Sequence, residues 1–219
     1  NIDGNQTFFA RNNIIQNHVS HGMNLFAGGG GGVGTQGVFE GRIENNTIGT
    51  NGVFDSGSRL GNAIRININE DSDAAIAVSG NLIDEVPNAR GIEVIGRDLA
   101  TAGGSGRLDI TASAGNSIAP PAGTNPPDIG CGAGVPCPLA PVFVQSNAVA
   151  GQTFTVCADI TGNTVYDPGT FAAGGEEGIT MRETTSGGGA STNQLEGTQA
   201  TANAQLAASN TCAGACSAT

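Results

Sequence analysis

Apolar and polar residues alternate with a period of two in many short segments of this chain. Alternation over four to eight residues is typical of a β-strand with one buried face. The spacing of an amphipathic helix is almost absent between these segments, so the pattern predicts a nearly all-β protein. The clearest segments are AIRINI (63–68), GIEVI (91–95), RLDI (107–110), PVFV (141–144) and FTVCADI (154–160).

A degenerate repeat, apolar-x-x-Asn-x-apolar, recurs along the chain. Glycine precedes the asparagine in three of the five copies, and a short alternating segment follows each copy. Strand-turn-strand units repeated in this way predict a solenoid of stacked coils. Asn and Gly tolerate the left-handed backbone that a sharp corner needs, and stacked amides can bond as a ladder. The predicted corners are Asn17, Asn46, Asn81, Asn116 and Asn163.

The Asn-x-Ile corners and Gly-Ile-x-Val strands resemble those of right-handed parallel β-helix proteins of the pectate-lyase-like superfamily. The stretch 154–197 resembles β-helix segments of very large secreted or surface-displayed bacterial proteins. The resemblance covers residues 8–196. It implies a right-handed parallel β-helix and a secreted or cell-surface location, but no single activity, because such folds include lyases, hydrolases, tail spikes and adhesins.

We therefore predict an all-β chain: a right-handed parallel β-helix of about five to seven coils over residues 1–196. Glycine- and proline-rich loops are expected to interrupt it, at 69–74, at 96–106 and above all at 119–141, which is rich in proline and cysteine. Proline cannot donate to a strand ladder, so the last segment must leave the sheet. Residues 197–219 are predicted to form a cap or a linker, and ATANAQLAAS within them is a candidate capping helix.

The glycine-rich stretch LFAGGGGGVGTQG (25–37) contains the G-x-G-x-x-G pattern of dinucleotide-binding loops. Such a loop needs a helix directly after it, whose N-terminus receives the pyrophosphate. Here GVFEGRIENNTI follows, which reads as a strand leading into a repeat corner, and no Gly-Lys-Ser/Thr is present. The stretch is therefore predicted to be a loop between two strands.

The composition limits the partners of the chain. Its 219 residues carry a formal net charge of −11, and only 12% of them are charged. A polyanion such as nucleic acid would be repelled, which leaves cations or neutral glycans as easier partners. No apolar run is long enough to cross a bilayer. Because the sequence begins at Asn1 without a methionine or signal peptide, we expect a processed product or a piece of something larger.

Four of the five cysteines lie in two closely spaced pairs. Disulfides Cys131–Cys137 and Cys212–Cys216 are predicted, which would suit an oxidising extracellular compartment. Metal binding is the alternative, although neither pair has Cys-x-x-Cys spacing or a nearby histidine. Cys157 lies in a strand-like run and is predicted to be a buried thiol.

The densest acidic cluster is NEDSD, with Asn69, Glu70, Asp71 and Asp73. Calcium prefers six to eight oxygen ligands, and this run offers several. It lacks the spacing of an EF-hand loop, however, and a solvated acidic turn explains it equally well. Calcium is thus the one candidate cofactor, and no other is predicted.

Catalytic candidates are isolated from one another. His18 and His21 flank a predicted corner, and strand geometry would place them on opposite faces, as surface histidines. Arg65 and Arg182 lie on the outward phase of their strands, where either a lyase role or a solubilising role fits. Glu176–Glu177 are successive residues, whereas glycosidase carboxylates must face each other across a sugar, so a turn fits them better. The sets of motifs typical of polygalacturonases are missing, which counts against hydrolysis.

These observations favour a structural or adhesive extracellular module, a rigid spacer that presents loops or stacks end to end into fibres. Its partners would be other copies of itself, or a glycan or cell-surface ligand. The alternative is a polysaccharide-active enzyme, a lyase or a glycoside hydrolase. It would require an acid cluster and an arginine in a groove along one sheet face.

Overall fold

A computed structural model describes residues 5–28, 37–98, 105–121, 139–166, 178–186, 188–195, 201–212 and 216–218. Within these ranges the chain forms three six-stranded sheets and one short helix. In each sheet the neighbour of a strand is the third strand before or after it in sequence, and every pairing is parallel. Three consecutive strands therefore make one coil, and six coils stack in chain order. The prediction of a parallel β-helix is confirmed.

The three sheets form the three sides of the solenoid. Sheet 1 consists of β1 (Gln6–Arg11), β4 (Val38–Glu44), β7 (Asp73–Ser79), β10 (Ser105–Ala114), β13 (Thr153–Thr161) and β16 (Ala190–Leu195). Sheet 2 consists of β2 (Ile14–Ile15), β5 (Thr47–Ile48), β8 (Leu82–Ile83), β11 (Ser117–Ile118), β14 (Thr164–Val165) and β17 (Thr211–Cys212). Sheet 3 consists of β3 (Met23–Ala27), β6 (Ile64–Asn69), β9 (Ile92–Asp98), β12 (Val142–Val149), β15 (Ile179–Ser186) and β18 (Cys216–Ala218).

The core is built from columns of aliphatic side chains. In β6, Ile64, Ile66 and Ile68 alternate with polar residues and are fully buried. Ile64 pairs with Ile92 of the next coil, and Ile66 with Val94. Because the strands are in register, each inward side chain stacks on one of similar size, and each burial stabilises the fold by roughly 1.5–3 kcal/mol.

Glycines in the strands make room for aromatic rings. Phe154 on β13 is fully buried, and a Cβ on Gly96 would lie 2.2 Å from its Cε1 atom. A Cβ on Gly106 would lie 2.4 Å from Cε2 of the same ring. These two glycines therefore form the notch into which Phe154 fits, and any larger residue there would displace the ring.

Connections of different length gather at one edge of the solenoid. The corner between sheets 2 and 3, which we call the loop edge, carries the connections 16–22, 49–63, 84–91, 119–141 and 166–178. The predicted proline- and cysteine-rich insertion is one of them, although its residues 122–138 lie outside the described ranges. The glycine-rich stretch falls at the corner between sheets 3 and 1, and its residues 29–36 likewise lie outside them.

Two segments differ in detail from what the sequence predicted. Residues 69–74 are no insertion, because Asn69 ends β6 and Asp73 begins β7, with Glu70 in the left-handed region at φ +57°. Within the predicted cap or linker, strands β17 and β18 extend sheets 2 and 3. The predicted helix is present as α1 (Ala202–Ser209), where Oγ1 of Thr201 accepts a hydrogen bond from the Ala204 N–H at 3.2 Å. No helix in the described ranges has the length and hydropathy to cross a bilayer.

Candidate functional site

A column of asparagines runs along the corner between sheets 1 and 2. The backbone N–H and the side-chain Nδ2 of Asn81 both donate to Oδ1 of Asn116 in the next coil, at 3.1 and 2.8 Å. Nδ2 of Asn81 also donates to the Ile43 carbonyl of the preceding coil, at 3.0 Å. One amide thus joins three coils and is fully satisfied although it is buried. This asparagine ladder comprises Asn13, Asn46, Asn81, Asn116, Asn163 and Asn210.

The residue before each ladder asparagine makes the corner. Gly80, Gly115 and Gly162 all have φ near +65°, and Asn12 and Asn45 take the same role at +57° and +55°. The sequence predicted a left-handed backbone at each corner without indicating whether the asparagine or the residue before it adopts it. The structure assigns it to the first residue of each pair, which leaves the second free to turn its amide into the stack.

The predicted first corner, Asn17, is wrong. Asn17 has a left-handed backbone at φ +55°, but it lies on the loop edge, where its N–H donates to the Ser56 carbonyl at 2.8 Å. Asn13 holds the ladder position instead, with the half-buried Ala10 and Ile15 as its flanking apolar residues. Alanine is a weak apolar signal, so the repeat around Ile14 and Val19 was the more conspicuous match.

The first coil leaves the core open, and we call this surface the N-terminal face. Strands β1, β2 and β3 are the edges of their sheets. Their inward side chains are only half-buried and line an open apolar cleft of about 370 Å³. Asn13 donates to Asn46 at 3.0 and 2.8 Å but is itself exposed, and its Oδ1 accepts no hydrogen bond from the described residues. The cleft is lined by Phe8, Ala10, Ile15, Met23 and Leu25, with Ile43 beneath them.

The last coil is covered by α1. Leu206 on this helix is fully buried and belongs to the core cluster. Asn210 follows the helix and continues the ladder, because N and Nδ2 of Asn163 lie 3.0 and 2.8 Å from its Oδ1. Its own Nδ2 donates to the Ile160 carbonyl and back to the Leu206 carbonyl, at 2.9 and 3.0 Å. Asn210 therefore also caps the end of α1, and its place in the ladder was missed because the helix separates it from the repeat.

Large apolar side chains are exposed on the loop edge of the first two coils. Val19 is 60% exposed and Leu60 47%. The two residues lie side by side, because the Leu60 N–H donates to the Val19 carbonyl at 2.9 Å. Val53 and Phe54 of the same connection are also exposed. We call these four residues the apolar patch. Several large apolar side chains exposed on one loop edge indicate an interaction site more strongly than a single exposed residue does.

Both candidate arginines face outward from sheet 3, where the structure adds partners that the sequence did not reveal. Glu93 is buried between two arginines: Oε1 lies 3.0 Å from Nε of Arg65, and Oε2 lies 2.8 Å from Nη1 of Arg90. The Arg90 guanidinium lies 3.8 Å from the centre of the Phe143 ring, and that of Arg182 lies 5.1 Å from it. This arginine column spans coils 2 to 5 and joins them through ion pairs and cation–π contacts.

The two histidines lie beside this column and are half-buried rather than surface residues. Nδ1 of His21 accepts a hydrogen bond from the Asn62 N–H at 3.0 Å, and its Nε2 lies 3.4 Å from Nη1 of Arg65. Burial lowers the pKa of His21, the nearby Arg65 lowers it further, and Glu93 opposes them. Burial also lowers the pKa of His18, with a smaller contribution from His21. Both rings are thus held in the neutral form.

The structure does not bring the predicted calcium ligands together. Oδ1 of Asn69 accepts a hydrogen bond from Nε of Arg97 at 2.7 Å, and Asp73 is exposed at the start of β7. Across the described ranges, no group of three or more His, Cys, Asp and Glu side chains is arranged to hold a metal ion. Glu70 and Asp71 form the short turn between Asn69 and Asp73.

Three of the five cysteines, Cys157, Cys212 and Cys216, lie in the part of the chain that the structure describes. Cys157 is a buried thiol on β13, and its Sγ lies 3.1 Å from Oε1 of Gln194. Cys212 and Cys216 lie on β17 and β18, and their disulfide stays a prediction. The pair Cys131–Cys137 and the acidic pair 176–177 fall outside the described residues.

Comparisons with family models, with curated proteins and with solved structures gave no match to this chain.

Proposed function

We propose that this chain is an extracellular structural and adhesive module: a rigid β-helical spacer that presents its loop edge to a glycan or cell-surface ligand and stacks into fibres. The apolar patch on the loop edge is the observation that carries the adhesive part. The continuous ladder and core support the structural part.

Rigidity follows from how the coils are joined. Each neighbouring pair shares three parallel strand pairings and one link of the asparagine ladder. Bending the solenoid would break buried amide hydrogen bonds, each of which leaves unsatisfied groups that cost roughly 1–3 kcal/mol. A surface held on such a support loses little conformational entropy when it binds, which favours adhesion by its loops.

The adhesive proposal is tested by binding of the immobilised chain to a glycan array and to cell surfaces. The triple variant Val19→Ser, Phe54→Ser, Leu60→Ser should lose at least about 10-fold in affinity, because the patch supplies the apolar contact area. The double variant Ile14→Ser, Leu82→Ser is the matched control, since both residues are exposed apolar side chains on sheet 2. Equal binding by the triple variant would refute the role of the loop edge.

The predicted disulfide Cys212–Cys216 belongs to the same proposal. An oxidising compartment would allow it, and it would tie β17 to β18 in the last coil. Mass spectrometry without reduction should find both cysteines in one cross-linked peptide. Its mass should be about 2 Da below that of the reduced peptide, because the disulfide has two hydrogens fewer. Two alkylatable thiols there would argue against an extracellular chain.

A polysaccharide-active enzyme of the pectate-lyase-like superfamily is the second candidate function, and the arginine column favours it. Arginines on one sheet face could bind an acidic glycan, but Glu93 already pairs with Arg65 and Arg90. A base needs a group that can give up its charge, which an arginine in an ion pair resists. Release of unsaturated or reducing sugars from a polysaccharide panel, abolished by Arg65→Gln, would establish the enzyme and displace the first proposal.

A further inference from the structure

We infer that the N-terminal face binds the C-terminal end of a second copy of this chain, so that sheets and ladder continue from one molecule to the next. The inference rests on the proposed structural function and names the two surfaces through which stacking occurs. Three independent features of the two ends agree with it: strand lengths, the direction of the ladder and the apolar character of both surfaces.

In sheets 1 and 2 the strands at the two ends match in length and direction, whereas in sheet 3 β18 has three residues and β3 has five. Strand β16 has six residues and so has β1, while β17 and β2 have two each. These strands lie at opposite edges of the same sheets, and all strands in those sheets are parallel. A second molecule placed on the first by continuing the coil stack would therefore pair β16 with β1 and β17 with β2, with the same polarity as every pairing within the chain.

The ladder has a direction, and its N-terminal end presents an unused acceptor. Within the chain, the N–H of each ladder asparagine donates to Oδ1 of the next, as Asn46 does to Asn81 at 3.0 Å. At the N-terminal end, Oδ1 of Asn13 accepts no hydrogen bond from the described residues, so it offers an acceptor at the start of the ladder. Stacking would place Asn210 of a second copy beside this acceptor, in the position that the preceding ladder asparagine holds within the chain. The interface thus continues the contact between coils.

The apolar surfaces of the two ends also fit each other. The cleft of the N-terminal face is concave and lined by uncharged side chains. On α1, Ala204, Ala207 and Ala208 are exposed and share one side of the helix by their spacing of three and four residues. No charged residue occurs between 201 and 212. Interface cores are depleted of charge in this way, because a buried unpaired charge opposes association.

A pair of complementary variants tests the inference. Leu25→Asp places a charge in the cleft, and Ala207→Glu places one on the exposed side of α1. In sedimentation velocity, the wild-type chain should form oligomers that grow with concentration, and each variant alone should associate about 100-fold more weakly. Mixed together, the two variants should form a one-to-one dimer, because each retains one intact end. Leu82→Asp, on the outward face of sheet 2, is the control and should stack like the wild type.

The other outcomes contradict the inference. If the Ala207→Glu variant dimerises by itself, two N-terminal faces bind each other. The N-terminal face would then not bind the C-terminal end of a second copy. If the wild type stays monomeric at all concentrations, no second copy fills the cleft. The Leu25→Asp variant is at risk of unfolding. Ala207→Glu changes an exposed position of α1 and should stay folded, so it tests the inference by itself in that case. None of these outcomes affects the adhesion assay on the loop edge, so the failure of stacking and the failure of adhesion are distinguishable.

Discussion

At the C-terminal end of the solenoid the core is finished by α1, whereas at the N-terminal end it is open. Leu206 is fully buried beneath its helix, while Met23 and Leu25 remain half-buried around the cleft. The amide of Asn210 uses both of its hydrogens inside the chain, and that of Asn13 is exposed. In the described residues, a helix thus covers the last coil, whereas the core side of the first coil is open.

The difference shows that stability in this protein depends on position along the stack. A coil in the middle has a neighbour on both sides. Its polar groups form hydrogen bonds, and its apolar side chains pack, with both neighbours. A coil at the open end has one neighbour, so equivalent residues contribute less. Pairs of equivalent residues, one from the middle and one from the open end, should therefore respond differently to the same substitution.

The largest contrast is expected for the two phenylalanines that fill glycine notches. Phe154→Ala should lower the free energy of unfolding by about 4 kcal/mol, because the ring is fully buried and the notch at Gly96 and Gly106 would become a cavity. Phe8→Ala, at the half-buried notch of Gly41, should lower it by only about 1–2 kcal/mol. Urea unfolding followed by circular dichroism measures both. Equal losses would mean that the open end is covered in solution.

The second contrast concerns the ladder. Asn81→Ala should destabilise by about 3 kcal/mol, since it removes the Oδ1 that accepts from Asn46 and the Nδ2 that donates to Asn116 and to the Ile43 carbonyl, all in the core. Asn13→Ala should destabilise by less than about 1 kcal/mol, because only the Nδ2 donor to Asn46 is lost, the backbone N–H of residue 13 still donates, and water reaches the site. The same urea experiment compares them in the monomeric Ala207→Glu background, where stacking cannot add to the effect. A ladder without energetic importance would give two small and similar values.

Much of the fold could be predicted because the same strand pattern and the same corner residue recur in successive coils of the β-helix. Period-two alternation identified the strands, and Asn46, Asn81, Asn116 and Asn163 revealed the coils, since a buried amide can be satisfied only by one like it in the next coil. The exceptions have physical causes. Asn13 was missed because its neighbour Asn12 and the later Asn17 are also asparagines, and the inward residue Ala10 is small.

The contacts across coils could not be predicted. Glu93 meets Arg65 only if Ile92 pairs with Ile64, and that register depends on the length of the corner turn. The connections of the loop edge differ from coil to coil, so the sequence separation of partners varies, from 28 residues for Arg65 and Glu93 to 47 for Asn116 and Asn163. Pattern alone therefore located the outward arginines but not their ion pairs.

A third, smaller effect is expected at the capped end. Leu206→Ala should destabilise by about 2 kcal/mol, mainly by detaching α1, because the side chain is the helix's fully buried anchor in the core. Hydrogen exchange should then rise in residues 202–209 and in β17, while the middle coils keep their protection. Ala208→Ser, on the exposed side of α1, serves as the control and should leave exchange unchanged. A loss of protection spread over all coils would show that the cap does not unfold separately.

The smallest effect is expected from pH, and it should be confined to the open end. Both histidines of the chain, His18 and His21, belong to the first coil, and burial lowers the pKa of each below the 6.5 of an exposed histidine. A lowered pKa means that the folded state prefers the neutral ring. This contribution is therefore complete above about pH 6.5 and is lost as the pH falls through the folded-state values. Arg65 adds to the effect on His21, and Glu93 reduces it.

Acidification from pH 8 to pH about 5.5 should thus lower Tm slightly and raise hydrogen exchange around residues 16–22, with little change in coils 4 to 6. His18→Phe should remove part of this dependence, because His18 is held neutral chiefly by burial and its ring nitrogens have no hydrogen-bond partner within the described part of the chain. If exchange rose instead near α1, the two ends would not differ in the way that their contacts indicate, because the C-terminal half contains no histidine to titrate in this range.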